Sequence, residues 1–232
     1  MLLTDKKGKK LKRLSLALIF FIFSIYAYGG MTFIKSDTTS NAEVKDAGIY
    51  FNGAINNQTI SWLMSGLTDI HANYRNVANI DIYLNSDGGD MDASLVAYEF
   101  MKKFPLKINI INASMTGSAA TIIYCASAQR YAMPMAHFLL HPAAAANEKT
   151  DYIKPDQARR ILEEDDAYNS IFEKVYASCT TLTPDELKQI TSAESDRKIY
   201  DADNAIKHGL ANQGLRESRT YLITYFITDT QS

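Results

Sequence analysis

Apolar residues recur along this chain with two periods that take turns. Over residues 57–74, Ile60, Leu63, Met64, Leu67 and Ile70 return every three or four positions, the spacing of a helix with one buried face. Over residues 79–84, Ile80, Ile82 and Leu84 alternate with Asp81 and Tyr83, which is the pattern of a strand. The helical period returns over 91–103 on Ala93, Val96, Ala97, Phe100 and Met101, and a strand follows over 106–111 on Ile108, Ile110 and Ile111. Residues 47–53 form a short β-rich run that ends in a turn, and predict the first strand. Residues 119–127 are apolar nearly all round, so they predict a buried helix. Two short strands, 130–133 and 137–141, are joined across Pro134, and 143–150 reads as a loop.

Lys154-Pro155 then opens a long helix over 156–178, with proline near the first turn where its missing N–H costs nothing. Its charges are dense and its apolar stripe (Ile161, Leu162, Tyr168, Ile171, Phe172, Val175) is narrow. Such a helix projects from the core, lies in a subunit contact, or is an ordinary solvated surface helix. Thr183-Pro184-Asp185-Glu186 resembles a capping box and starts a helix over 186–191. A short helix over 203–208 is stopped by Gly209, and 221–228 predicts a terminal strand. Alternating strands and helices predict an α/β domain with mainly parallel strands.

The N-terminus departs from this pattern. Lys6, Lys7, Lys9, Lys10, Lys12 and Arg13 precede an almost wholly apolar run over 14–28. A positive region followed by about 15 apolar residues fits a secretory signal peptide, with a small-x-small cleavage site at Ala27-Tyr28-Gly29. The alternative is an uncleaved membrane anchor through 14–28, at the short edge of the roughly 17–25 residues a span needs. In both cases the positive flank stays inside and the rest is translocated. The chain therefore divides into a signal peptide or anchor (1–29), a polar linker (30–46) and a domain (47–232) that is exported in bacteria, periplasmic or held at the membrane.

The 232 residues are enough for one substantial core, and nothing in a formal net charge of -2 suggests a nucleic-acid surface. The cysteines do not have the paired or Cys/His spacing that holds zinc, and no motif points to another metal or to a cofactor. Cys125 lies in an apolar run and reads as a small buried core residue, while Cys179 follows a polar helix end. A disulfide between the two requires an oxidising compartment.

Candidate chemistry gathers between residues 85 and 141. A hydrolytic serine needs a neighbouring base, a third group that fixes the tautomer of that base, and N–H donors where negative charge develops. Ser118 follows Gly117 in a small-residue turn and opens the buried helix, whose first N–H groups are unpaired. Gly88-Gly89 lets a second backbone N–H approach a ligand closely. Each feature alone also fits a plain packing position.

The order of the pieces resembles the Clp protease proteolytic subunit and its wider family, which shares a fold with the crotonases. The resemblance rests on Asn85-Ser86-Asp87-Gly88-Gly89, Ser118, Arg130-Tyr131-Ala132-Met133-Pro134-Met135-Ala136, and Phe138-Leu139-Leu140-His141, and covers about 49–210. It implies a ClpP/crotonase-like α/β fold of repeated β-β-α units, mainly parallel, with a projecting helix. It also implies Ser118 as nucleophile, His141 as general base, and the N–H groups of Gly89 and Ala119 as oxyanion hole. The third member of the triad is matched best by Asp196, through a one-residue insertion, with Asp201 and Glu194 as alternatives. His71, His137 and His208 match no catalytic position and read as structural.

Several residues depart from the family pattern. Asp87 stands where the family has proline, Ser114 stands where glycine is common, and Ala143-Ala144-Ala145-Ala146 replaces a glycine-rich segment. Ser114-Met115 mimics the nucleophile turn, which makes Ser114 the rival nucleophile. The expected function is a serine peptidase of peptides or unfolded proteins, homo-oligomeric and working without an ATPase partner, since ATP is scarce outside the cytoplasm. The competing expectations are an inactive oligomeric scaffold and, less well matched, a crotonase-type acyl-CoA enzyme. A Ser/Lys mechanism has no support, because Lys149 lies in a loop without a match.

Overall fold

The computed structural model describes residues 30–35, 40–145 and 152–229. The apolar run over 14–28 and its cleavage site lie outside them. Among the described residues, no helix is long and apolar enough to cross a membrane.

Among the described residues, eight strands form one sheet: β1 (Gly30–Lys35), β2 (Asp46–Asn52), β3 (Asn79–Ser86), β4 (Lys107–Gly117), β5 (Gln129–Ala132), β6 (His137–Leu140), β7 (Lys198–Asp201) and β8 (Ile223–Thr228). Their order is β1-β8-β2-β3-β4-β6-β7, with β5 also paired to β4. The pairings through the middle are parallel, and only β1–β8 and β6–β7 are antiparallel. The expected α/β architecture with a mainly parallel sheet is therefore present. One boundary changes: the segment read as a polar linker opens with β1. Its Phe33 and Ile34 are exposed and Met31 only half-buried, so an edge strand here carries little apolar alternation.

The helices are α1 (Asn57–Asn73), α2 (Met91–Lys102), α3 (Ala119–Cys125), α4 (Pro155–Cys179), α5 (Pro184–Ser192) and α6 (Ala202–Lys207). Each of the first four packs on the next, from α1 on α2 to α4 on α5. Every residue of α3 is buried, which is why its sequence lacks a polar face. In α4 only Phe172, Val175, Tyr176 and Cys179 are buried. Its first half projects, with Leu162 63 % exposed and Tyr152 and Ile153 beside its start 88 % and 56 % exposed.

Cys125 and Cys179 form a disulfide, with Cα atoms 5.7 Å apart, that ties the last residue of α3 to the last residue of α4. The two helices are also joined by the hydroxyls of Thr121 and Tyr176, 2.8 Å apart. Buried Arg130 supports the same corner. Its guanidinium donates to the carbonyls of Leu210, Ser127, Cys179 and Gly209 at 2.8–3.2 Å. Burial pulls its pKa down, and the carbonyl oxygens satisfy the charge without a carboxylate.

The other face of the sheet carries stacked rings, Tyr50 on Tyr83 and on Phe226, with centroids 4.6 and 5.4 Å apart. Residues 216–221 cross this face and close on Asp81, whose side chain is fully buried. Arg216 and Tyr221 donate to its Oδ2, as do Nε and Nη2 of Arg219 at 3.0 and 2.9 Å, and Asn109 Nδ2 donates to its Oδ1 at 2.6 Å. Burial first, and then the bond to Asp81, hold the Tyr221 phenol far above its ordinary pKa. Asp81→Ala should destabilise the protein by about 2 kcal/mol in urea unfolding. That is below the usual cost of breaking a buried pair, because both arginine heads reach water.

Candidate active site

The site forms where β3, β4 and β6 end together. Parallel pairing sets Met115 opposite His137 and Gly117 opposite Leu139. Ser118 N–H then donates to Leu139 O at 3.1 Å, two residues before His141. Buried Asn112 fixes this junction, donating from Nδ2 to His137 O at 2.7 Å and accepting the Ser114 N–H on Oδ1.

Ser118 has φ 51° and ψ -131°, and is the one non-glycine residue with positive φ among the described residues. Such backbone is strained for an L-residue by about 1–3 kcal/mol and persists only where its surroundings enforce it. Those surroundings are the Leu139 hydrogen bond on one side and the glycine turn on the other. A Cβ on Gly88 would lie 2.5 Å from Ser118 Cβ and 3.1 Å from Ala119 N. Gly89, at φ 142°, would place a Cβ 2.2 Å from Ile55 O. Gly88 therefore brings backbone against Ser118, and Gly89 against Ile55, where no side chain fits.

The turn is held by Ile55, which donates to Gly88 O and accepts from Asp90 N–H, each at 2.8 Å. Gly88 N–H is directed to Ser86 Oγ at 3.2 Å. Among the described residues, the N–H groups of Gly89 and Ala119 have no hydrogen-bond acceptor, so both are free to donate. Asp87 is exposed at the turn's tip, and a polar cleft of about 480 Å³ bordered by Asn85, Asp87, Gly88 and Asp229 opens beside it.

His141 is half-buried at the end of β6. Its Nδ1 lies 3.4 Å from Glu194 Oε2. Glu194 Oε1 accepts from Arg197 Nη1 at 2.8 Å. Asp196, the carboxylate matched first from the sequence, turns away and accepts from Gln189 Nε2 at 3.3 Å. Asp201 caps α6 by accepting from Asn204 N–H at 2.8 Å. Hence Glu194 is the acid that meets the histidine. Register explains the difference. Antiparallel pairing sets Leu140 opposite Lys198, which leaves His141 facing Arg197, and a single 3₁₀ turn (Glu194–Asp196) folds Glu194 onto Arg197's side. Hydrogen bonding to Arg197 and the charges of His141 and Arg197 hold the Glu194 carboxyl below its ordinary pKa.

Ser114 lies elsewhere. It sits within β4, bordering a hollow with Tyr50, Tyr83 and Phe226, and the glycine turn packs on Ser118 instead. The other histidines also stand apart: His71 meets Phe104 edge-on, His208 stacks on Tyr200, and His137 is exposed on β6. Among the described residues no cluster of three metal-ligating side chains occurs.

Residues 33–217 match the family model described as Clp protease. The ATP-dependent Clp protease proteolytic subunit of Dehalococcoides mccartyi is 27% identical over 177 residues, covering 75% of this chain and 84% of its own. The ATP-dependent Clp protease proteolytic subunit 3 of Frankia casuarinae is 28% identical over 137 residues, 58% of this chain and 61% of that one. Among solved structures, a mutant ClpP1 from Listeria monocytogenes superimposes with a TM-score of 0.62 at 17% identity, over 74% of this chain and 92% of that one.

Proposed function

Since the chain belongs to the Clp protease family, we propose that it is a serine-type endopeptidase in which Ser118 is the nucleophile and His141 the general base. Ser118 Oγ attacks the peptide carbonyl while His141 Nε2 takes its proton. The tetrahedral oxyanion is received by the N–H groups of Gly89 and Ala119, and His141 returns the proton to the departing amine. Water, activated by the same histidine, then hydrolyses the acyl-enzyme.

The observation that carries this reading is the strained backbone of Ser118. A packing serine has no need of φ 51°. A nucleophile presented at a sharp strand-to-helix turn does, since the turn lifts Oγ clear of the strand.

The protein acts outside the cytoplasm, on short or unfolded peptides and without an ATP-driven unfoldase. The Cys125–Cys179 bond supports this compartment, because such bonds persist where the surroundings are oxidising. The projecting half of α4 and its exposed Leu162 provide an assembly surface, so light scattering should give a mass several times 25.9 kDa. A monomer would count against that surface.

The decisive experiment is labelling of the purified protein with a fluorophosphonate, followed by peptide mapping. Label on Ser118 supports the peptidase. Label on Ser114 keeps the enzyme class and moves the nucleophile. Absence of label favours an oligomeric scaffold, a reading to which the charge of Asp87 beside the oxyanion turn lends weight.

A further inference from the structure

The carboxylate partner of a catalytic histidine does its work through position: it fixes which ring nitrogen carries the proton and faces the imidazolium when it forms. Three acids lie on the segment that passes His141, and they are in different circumstances. Asp196 is bonded to Gln189, and Asp201 is engaged with the N-terminus of α6. Glu194 alone reaches His141, and its two oxygens divide between two cations or potential cations: Oε2 toward His141 Nδ1 at 3.4 Å and Oε1 toward Arg197 Nη1 at 2.8 Å.

We propose, resting on the reading of Ser118 and His141 above, that Glu194 is the residue that positions the His141 imidazole and that Arg197 fixes Glu194 for this task. Accepting the Nδ1 proton on Oε2 leaves the Nε2 lone pair free to receive the proton of Ser118. Glu194 is 58% exposed, so a free side chain here would sample many rotamers. The Arg197 bond restricts it, and the 3₁₀ turn places the two residues on one side. The arrangement is a surface acid braced by a guanidinium.

The test compares Glu194→Gln, Glu194→Asp, Asp196→Asn and Arg197→Ala in the full chain, using peptide hydrolysis and the downfield imidazole N–H resonance of His141. Glu194→Gln should lower kcat about a hundredfold with KM little changed, and should abolish the downfield resonance. Glu194→Asp should recover part of kcat, Arg197→Ala should show a smaller loss, and Asp196→Asn should leave both readouts in place. Loss of kcat and of the resonance in Asp196→Asn, with Glu194→Gln active, overturns the inference. A wild-type protein that takes no fluorophosphonate and cleaves no peptide, yet shows the Glu194-dependent resonance, overturns the peptidase reading and leaves the Glu194–His141 contact standing.

Discussion

Replacing Ser118 by alanine is expected to lower kcat by a factor on the order of 10⁶ and to abolish fluorophosphonate labelling, because the nucleophile of a triad acts as one unit with its base. Alanine keeps the Cβ and the backbone strain, so the fold should survive unchanged and the loss should be one of chemistry. Ser118→Gly separates the two roles further. Glycine adopts φ 51° without strain, so this variant should be inactive and yet more stable than the wild type by about 1 kcal/mol. A serine kept for packing would behave in the opposite way, with activity retained and stability lost. Measuring urea midpoints beside hydrolysis rates therefore tests the site from both sides. Retained hydrolysis in Ser118→Ala would remove it as nucleophile.

Opening the Cys125–Cys179 bond should have the largest effect on stability. The two residues are 54 apart in sequence, and closing a loop of that length removes enough freedom from the unfolded chain to stabilise the fold by about 4 kcal/mol. In a protein of this size that corresponds to a fall of about 10 °C in Tm, either in the double variant Cys125→Ala/Cys179→Ala or in the wild type with reductant. Both half-cystines are buried, so the double variant also loses a small packing contribution. A Tm unmoved by reductant would show that the bond contributes nothing. The consequence reaches the site, because the bond closes the end of the helix whose beginning is Ser118. Heat inactivation should therefore accelerate in reductant in step with the fall in Tm.

The parallel centre of the sheet was legible because Ile80, Ile82 and Leu84 of β3 and Ile108, Ile110 and Ile111 of β4 are buried apolar residues at strand spacing, even though Asp81 and Asn109 are buried among them. The buried α3 was legible for the same reason. The edges were not. Lys198, Ile199 and Asp201 of β7 are exposed or half-buried, and β1 exposes Phe33 and Ile34, so neither strand carries the alternation that marks a covered face. Residue order already set Ser118 near the glycine turn and near the strand that ends at His141, because strand ends and glycine turns bring such pieces together locally. That Glu194 and not Asp196 lies beside His141 was not legible, since it depends on one 3₁₀ turn and one antiparallel register, neither of which leaves a mark in composition. Arg130 belonged to a quoted motif, but its task of binding four carbonyls is visible only once α3, α4 and α6 end at the same corner. The disulfide was open for a similar reason: 54 residues of separation carry no distance until two helices pack.

The position of β8 bears on how this molecule comes into being. The last described strand lies inside the sheet, parallel to β2 and antiparallel to β1. Until residues 223–228 emerge, β2 presents an open edge and β1 has no partner at all. An open parallel edge is a template for pairing with another chain, and the contact that closes it spans almost the whole sequence. The sheet can therefore close only after residues 223–228 have been made, so the segments before them wait unpaired along this edge while the chain is built.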